Sequence, residues 1–423
     1  MVGTRLEAEL EITEIGARGD GIAMLEGERV FVPFTVPGDR VLARLGARRG
    51  DGLTARVTRL LVEGPGRTAP VCAHFGECGG CALQHLDPGH YREWKRGLLS
   101  AALARRGIEA EVELLAPAPP NARRRVDLTA LCRPQGVLLG FNARSSHRVV
   151  DMAECHILAP AILNLVPPLR DLLAALMATG ERAEVVVSLT TGGLDLLLVS
   201  ATALGLAGRE RLAAFAAEHD LARVSHRHPK QGGPETVAEL RPPRAIFGVV
   251  PVRLPAGAFL QATAAGEGLL VEAVLAGAAD ARRVADLYCG CGTFTFPLAR
   301  TARVRAIDGL DWQVRAMERA ARDAGLQSVA TECRDLGRKP LSARDLDGFD
   351  AVVFDPPRAG AKAQSEALAV SAVPVVIAVS CNPATFARDA RILVDGGYGL
   401  ARVLPIDQFP WSPHLELVAT FRR

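Results

Sequence analysis

The chain has 423 residues, 49% of them hydrophobic, and a formal net charge of +3. This length predicts two or three domains, since domains usually contain about 100–200 residues. No apolar run reaches the roughly 18–20 residues that cross a membrane, and the charged N-terminus lacks the apolar core of a signal peptide. The odd number of cysteines, nine, argues against a disulfide framework. Membrane and secreted classes are thereby excluded, and a cytoplasmic protein is predicted.

Residues 1–60 predict a small OB-like β-barrel. Short alternating runs, such as 29–34 and 40–45, are separated by Gly-Asp and Pro-Gly turns. Five short strands of this kind are typical of barrels that bind nucleic acids. Residues 40–59 carry six arginines and one acid. This segment is either a phosphate-binding face or an ordinary solvated surface.

Residues 61–245 are predicted to form an α+β central domain that binds RNA. Strands are expected at 184–189 and 194–199, whereas the polar, Pro-rich stretch 227–243 indicates a loop or linker. Residues 88–106 have the pattern of an amphipathic helix whose basic side chains are Arg92, Lys95, Arg96, Arg105 and Arg106.

Four cysteines of this domain suggest a metal site. Cys72, Cys78 and Cys81 are closely spaced, and Cys155 is the fourth thiolate. Four cysteines can hold either an iron–sulfur cluster or a tetrahedral zinc ion. The spacing does not decide between them, and three nearby histidines keep zinc open: His74, His85 and His156. Four other cysteines are predicted to be packing residues: Cys132, Cys289, Cys291 and Cys333.

Residues 246–423 predict a Rossmann-like, doubly wound α/β domain. Short apolar runs at 284–288, 304–307, 351–354 and 375–379 are each followed by a helical pattern. Strands that alternate with helices in this way form a parallel sheet covered on both faces.

The first of these strands leads into a glycine-containing loop. Gly290 and Gly292 allow a tight turn and close approach of a ligand, but Thr295 stands where a dinucleotide fingerprint has its third glycine. Asp286 and Asp308, at the ends of the first two strands, fit S-adenosylmethionine better, with Asp308 accepting from the ribose hydroxyls. A strand–turn–helix of an unrelated α/β enzyme is the alternative.

Two motifs end successive apolar runs. One is Asp-Pro-Pro-Arg at 355–358, and the other is Ser-Cys-Asn-Pro at 380–383. Ligands of open α/β sheets lie at the carboxyl ends of strands. If the two strands are neighbours, Asp355 and Cys381 face one pocket.

The second motif favours methylation at carbon 5 of uracil. That carbon becomes nucleophilic only after a thiolate adds to carbon 6, so the reaction needs a cysteine, a base and a methyl donor. Cys381 fits the nucleophile, and Pro383 suits the start of a helix, where thiol pKa values fall. Methylation of an exocyclic amine is the alternative, but it needs no cysteine and usually has an aromatic residue at the position of Arg358. Glu416 fits the base, and on a strand it would share a face with His414.

These motifs together resemble the RNA uracil-5 methyltransferases. The resemblance rests on the sequences at 286–294, 355–360, 380–383 and 414–416, and it covers nearly the whole chain. Residues 1–60 are similar to the TRAM domain of that family, and the four cysteines to its 4Fe-4S site. The resemblance implies that Cys381 is the nucleophile and Glu416 the base. It implies cofactor-pocket roles for Gln261, Tyr288, Thr293, Asp308, Asp335 and Asp355, and cluster-ligand roles for Cys72, Cys78, Cys81 and Cys155.

The sequence departs from the family pattern at a few positions. Thr263 and Thr293 stand where asparagine is common, Asp308 where glutamate is common, and Asp335 where asparagine is frequent. The resemblance also implies that residues 88–115 pack on the catalytic domain. It favours a monomer that methylates 23S ribosomal RNA over one that methylates the tRNA T-loop. A non-catalytic RNA-binding protein is a further alternative, which the presence of Cys381, Asp355 and Glu416 opposes.

Overall fold

A computed structural model describes residues 7–117 and 119–423. The strands β1 and β2 follow each other in the chain but lie at opposite edges of the first sheet, where β1 pairs with β5 and β2 pairs with β3. The sheet curls, so that its two edges come close to each other. Alternating buried side chains such as Val30 and Val41 fill the interior. Where five strands of an OB-like barrel were predicted, the chain forms a curled sheet of six strands in the order β1-β5-β6-β4-β3-β2. Its strands are β1 (Glu7–Glu11), β2 (Glu14–Ile15), β3 (Asp20–Leu25), β4 (Glu28–Pro33), β5 (Arg40–Arg49) and β6 (Gly52–Val62).

Ion pairs neutralise most of the arginine-rich segment 40–59. Four of its six arginines have a carboxylate partner within the same sheet: Arg40 with Glu9, Arg44 with Glu7, Arg48 with Glu28, and Arg49 with Asp20. Of the alternatives left open by the sequence, the structure favours an ordinary solvated surface for most of this segment.

The helix that follows the first sheet in the chain packs on the C-terminal α/β sheet, which is described below. Helix α1 (Pro88–Ala104) begins at Asp87, whose side chain caps it, and a short strand β7 (Ala116–Pro117) follows. Leu99, Leu103 and residues up to Leu115 belong to a hydrophobic core under that sheet. Lys95 is fully buried. It therefore differs from Arg92, Arg105 and Arg106, the exposed basic residues of the same segment.

The central sheet has the order β13-β12-β11-β10-β8-β9. The stretch 227–243, predicted as a loop or linker, contains the whole of β13, which pairs antiparallel with β12. The strand tolerates Pro234 because it lies at the sheet edge. The elements are β8 (Arg125–Arg133), β9 (Gly136–Gly140), α2 (Pro160–Leu176), β10 (Arg182–Thr190), β11 (Gly193–Val199), α3 (Leu206–Glu218), β12 (Arg223–His228) and β13 (Gln231–Glu239).

The third sheet has eight strands in the order β18-β17-β16-β19-β20-β22-β21-β7. Strands β16 to β20 are parallel, and β22 runs antiparallel between β20 and β21. The hairpin β14 (Arg244–Phe247) and β15 (Val250–Arg253) precedes it. The remaining elements are α4 (Ala264–Gly277), β16 (Arg283–Leu287), α5 (Thr295–Leu298), β17 (Arg303–Asp308), α6 (Asp311–Asp323), β18 (Val329–Cys333), β19 (Ala351–Phe354), α7 (Lys362–Ala369), β20 (Val375–Ser380), α8 (Pro383–Asp395), β21 (Gly399–Asp407) and β22 (Glu416–Arg422).

Two hydrophobic clusters cover the opposite faces of this sheet. Helices α4 and α6 contribute to one, and α1, α7 and α8 to the other, which confirms the predicted α/β class. The carboxyl ends of β16, β17, β19 and β20 lie along one edge, where the candidate site is built. None of the helices formed by the described residues is both long and apolar enough to cross a bilayer.

Candidate active site

The glycine loop after β16 has a backbone that only certain residues allow. Gly290 and Gly292 have φ values of +56° and +102°. A Cβ atom on Gly292 would lie 2.6 Å from the ring of Phe296, so this position requires glycine. Tyr288, with φ +59°, is held in the same left-handed region although it is not glycine.

Two aspartates brace this loop. The Asp308 carboxylate accepts from the backbone N–H of Gly290 at 3.0 Å and from that of Leu310 at 2.8 Å. Asp286 is completely buried and accepts from the hydroxyl of Thr295 at 2.6 Å. Thr295, at the place of the missing third glycine, thus ties the loop to the strand. Burial raises the pKa of Asp286 to about 7.

The other predicted cofactor residues surround the same loop. Tyr288 and Thr293 are half-buried on it. Asp335 is exposed in the turn after β18, where its carboxylate accepts from the N–H groups of Gly337 and Arg338. Since β18 pairs with β17 up to Asp308, Asp335 lies at the adjoining strand end.

Gln261 is held by a residue that the sequence did not point to. Gln408, completely buried, donates to the side-chain oxygen of Gln261 at 2.9 Å and accepts from the N–H of Thr263 at 3.2 Å. The amide nitrogen of Gln261 is thereby directed to Asp355, to which it donates at 3.4 Å. Arg124 adds a bond from its side chain to the Gln261 carbonyl at 3.0 Å. A hydrogen-bonded relay therefore runs from Thr263 to Asp355.

Cys381, Asp355 and Glu416 converge at the ends of three adjacent strands. Strands β19 and β20 are neighbours, as the motif argument required. Glu416 opens β22, whose next residue, Leu417, pairs with Ser380. Glu416 is 5% exposed, whereas Cys381 is half-buried at the start of α8. The structure therefore brings together the predicted nucleophile and two carboxyl groups.

The pKa values of these groups rise together. Burial raises the pKa of Asp355 to about 7. Burial, and then the negative charge of Asp355, hold the pKa of Glu416 well above its usual range. Burial, with the carboxylates of Glu416 and Asp355, raises the pKa of Cys381 to about 11. The expected fall in the Cys381 pKa was wrong, because this cost exceeds any gain from the helix N-terminus.

His414 lies apart from the carboxyl pair. It precedes β22, is exposed, and meets the guanidinium of Arg358 through Nδ1 at 2.8 Å. Because β22 begins only at Glu416, the expectation that His414 and Glu416 share one face of a strand was wrong.

Known proteins resemble this chain along its whole length. Residues 325–423 match the family model described as tRNA (Uracil-5-)-methyltransferase, and 253–373 match the methyltransferase small domain. The 23S rRNA (uracil(1939)-C(5))-methyltransferase RlmD of Chromohalobacter salexigens is 36% identical over 98% of this chain and 89% of its own. An uncharacterized RNA methyltransferase of Brucella suis is 44% identical over 98% of each chain.

The chain belongs to the RNA uracil-5 methyltransferase family. It is therefore an RNA methyltransferase that depends on S-adenosylmethionine. A solved structure, that of the Pyrococcus abyssi tRNA (uracil-54, C5)-methyltransferase in complex with S-adenosyl-L-homocysteine, shares the fold. Its TM-score is 0.76, with 24% identity over 98% of this chain and 99% of that one.

In this methyltransferase the four predicted ligand cysteines face one small cavity of about 20 Å³: Cys72, Cys78, Cys81 and Cys155. Burial, and then charge on the other three thiols, raise the pKa of Cys81 to about 12. Within the described ranges, however, no three or more His, Cys, Asp or Glu side chains converge closely enough to bind a metal ion.

Of the three nearby histidines, His74 and His156 line this cavity, and the buried Nε2 of His156 has no hydrogen-bond partner among the described residues. His85 bonds the carbonyl of Thr35 through Nε2, and Nε2 of His74 accepts from the N–H of Ala153. Cys132, Cys289 and Cys291 are buried as predicted, but Cys333 is exposed. Its assignment as a packing residue was wrong because it ends the edge strand β18.

The cysteine cavity is joined to the active site by backbone hydrogen bonds. The N–H of Arg123 donates to the carbonyl of Ile157, two residues after Cys155, and the N–H of Arg124 donates to Ala262. The carbonyl of Trp411 accepts from Ala82 and Leu83, next to Cys81. The loops that carry Cys81 and Cys155 are therefore linked by hydrogen bonds to the segments that carry Gln261 and Gln408.

Proposed function

We propose that this enzyme methylates carbon 5 of a uridine in 23S ribosomal RNA. The observation that carries the proposal is the convergence of Cys381, Glu416 and Asp355 in a chain that is 36% identical to a 23S rRNA uracil-5 methyltransferase. The residues that would hold S-adenosylmethionine lie on and around the glycine loop: Gln261, Tyr288, Thr293, Asp308, Asp335 and Asp355.

The chemistry follows from the three side chains. The Cys381 thiol loses its proton to solvent, and its sulfur bonds to carbon 6 of the uracil. Carbon 5 would then take the methyl group that S-adenosylmethionine supplies, using the electron pair of the former C5=C6 bond, while the bond from the methyl carbon to the cofactor sulfur breaks and S-adenosylhomocysteine leaves. Glu416 takes the proton from carbon 5, the double bond re-forms, and the sulfur–C6 bond breaks. Since the pKa of Cys381 is about 11, the thiolate is the scarce species at neutral pH.

The target base must leave its stack to reach Cys381, because enzymes that act on a base within a helix extrude it. Arg358 is exposed and lines a surface cleft together with Cys381, so its guanidinium group is placed to contact the extruded base. Its contact with His414 would limit its orientation.

Cys72, Cys78, Cys81 and Cys155 are proposed to hold a 4Fe-4S cluster. Their chemistry fits, since such clusters take four cysteine thiolates and these four line a shared cavity. A tetrahedral zinc ion held by the same four thiolates is the alternative. The cluster would brace the loops that join the barrel to the active site, and no catalytic step is assigned to it.

The test is to incubate the enzyme and S-adenosylmethionine with 23S ribosomal RNA that contains 5-fluorouridine. Fluorine cannot leave carbon 5 as a proton, so the enzyme should remain bonded to the RNA after denaturation. The adduct should be absent with Cys381→Ala and present with Cys333→Ala, a control that removes a different accessible thiol. No adduct with wild-type enzyme that binds the cofactor normally would refute the nucleophile.

A second candidate substrate is the tRNA T-loop. It is favoured by the shared fold with an enzyme named as a tRNA (uracil-54, C5)-methyltransferase. The same trapping reaction with 5-fluorouridine tRNA separates the two. An adduct with tRNA and none with 23S ribosomal RNA would replace the proposed substrate while retaining the chemistry.

A further inference from the structure

A cleft of about 680 Å³ leads from the curled sheet to Cys381. The turn between β2 and β3 lines one side with Arg18, and the end of α1 lines another with Arg105 and Arg106. Arg358 and the start of α8 complete it at Cys381. This volume lies within the range of ligand pockets, about 300–1,000 Å³. The cleft is therefore large enough to hold part of a ligand, and Cys381 lies on its lining.

The charge of this cleft is one-sided. Among its lining residues within the described ranges there are four arginines and no aspartate or glutamate. None of the four forms an ion pair with a described carboxylate, in contrast to most arginines of the segment 40–59. Arg105 caps its own helix by donating to Ala101, which is a sufficient structural role. Arg18 and Arg106 are exposed, and their side chains form no hydrogen bond or ion pair with the part of the chain that the structure describes.

We propose that Arg18 and Arg106 bind phosphates of the RNA strand next to the target uridine, one from the curled sheet and one from α1. Guanidinium groups bind phosphate oxygens through paired hydrogen bonds. Uncompensated arginines on both walls of a cleft that ends at Cys381 suit a single RNA strand whose flipped base enters the site. This inference rests on the proposed function for its direction toward the uridine.

The test measures binding of fluorescein-labelled oligouridine RNA to the full-length enzyme as salt is increased. Arg18→Ala and Arg106→Ala should each weaken binding about tenfold. Each should also reduce the slope of log K against log salt by about 0.7. Arg92→Ala is the matched control, since Arg92 is exposed on α1 but does not line the cleft. It should bind as wild type.

The outcomes separate this inference from the proposed function. If the double variant Arg18→Ala/Arg106→Ala keeps the wild-type affinity and salt slope, the inference is overturned. An equal loss of RNA affinity in Arg92→Ala would also overturn it. Trapping on 5-fluorouridine 23S ribosomal RNA is measured in parallel. If the arginine effects are found but no RNA is trapped by wild type, the phosphate contacts stand and the proposed reaction fails. If trapping occurs without arginine dependence, the reaction stands and the cleft assignment fails.

Discussion

Gln408 donates a hydrogen bond of 2.9 Å to the side-chain oxygen of Gln261, 147 residues earlier in the chain. That bond, together with the one from Thr263, fixes which end of the Gln261 amide faces Asp355. The side chain of Gln408 also packs closely against α4, since a Cβ on Gly266 of that helix would lie 2.4 Å from it. Gln408 is thus a positioning residue for the pocket.

Gln408→Ala should lower kcat/KM for methylation by about 10- to 100-fold, because a buried partner is left without its hydrogen bond. Gln364→Ala is the control. Gln364 is also buried and bonds Leu341 through both ends of its amide, but it lies on α7. Both variants should lose comparable thermal stability, and only Gln408→Ala should lose activity at a temperature where both are folded. Equal activity in the two would refute the positioning role.

Glu416→Gln should accumulate a covalent complex with ordinary, unfluorinated RNA. An amide cannot accept the carbon-5 proton, so the methylated base cannot be released from Cys381. Asp355→Asn is the comparison, since Asp355 is the other carboxyl group beside Cys381. Denaturing gels with labelled S-adenosylmethionine would detect the species. If Asp355→Asn accumulates the methylated adduct and Glu416→Gln does not, the base is Asp355.

The sequence predicted the α/β fold because buried parallel strands leave continuous apolar runs, as at Val375–Ser380. It predicted Cys381 because a short motif ends such a strand. It did not predict Gln408, because no local pattern marks a glutamine whose partner lies 147 residues away. The pKa of Cys381 was mispredicted for a related reason. The local helix start was visible, but the carboxylates that oppose it come from two other strands.

Stability should fall as pH rises from about 4 to about 7, in part because of Asp355. Its pKa in the folded protein is about 7, against 3.8 as its ordinary value, so the folded state binds a proton that the unfolded state has released. This contribution is full below pH 3.8 and is lost as pH rises through 7, by up to about 1.4 kcal/mol per pH unit. Asp355→Asn should flatten the decline in Tm. An unchanged decline would show that the Asp355 pKa is not raised.

Air oxidation should weaken RNA binding before it alters cofactor binding, if the cysteines hold a cluster that shapes the RNA-binding face. Anaerobically purified enzyme should carry iron and sulfide, and each of Cys72→Ser, Cys78→Ser, Cys81→Ser and Cys155→Ser should lose them. Cys132→Ser, which removes a buried cysteine outside the cavity, should retain both. Loss of S-adenosylmethionine binding first, with RNA affinity intact, would contradict a structural cluster.

Lys95→Met should destabilise the fold by about 3–5 kcal/mol, because it leaves a buried carboxylate without its cation. The ammonium group of Lys95 is fully buried and contacts Asp407, Tyr91 and the carbonyl of Phe409, so it ties α1 to the segment that carries Gln408. The double variant Lys95→Met/Asp407→Asn removes both charges and should recover part of the loss. Urea unfolding of wild type, Lys95→Met, Asp407→Asn and the double variant gives the coupling energy between the two charges. Additive losses would show that the two charges do not stabilise each other.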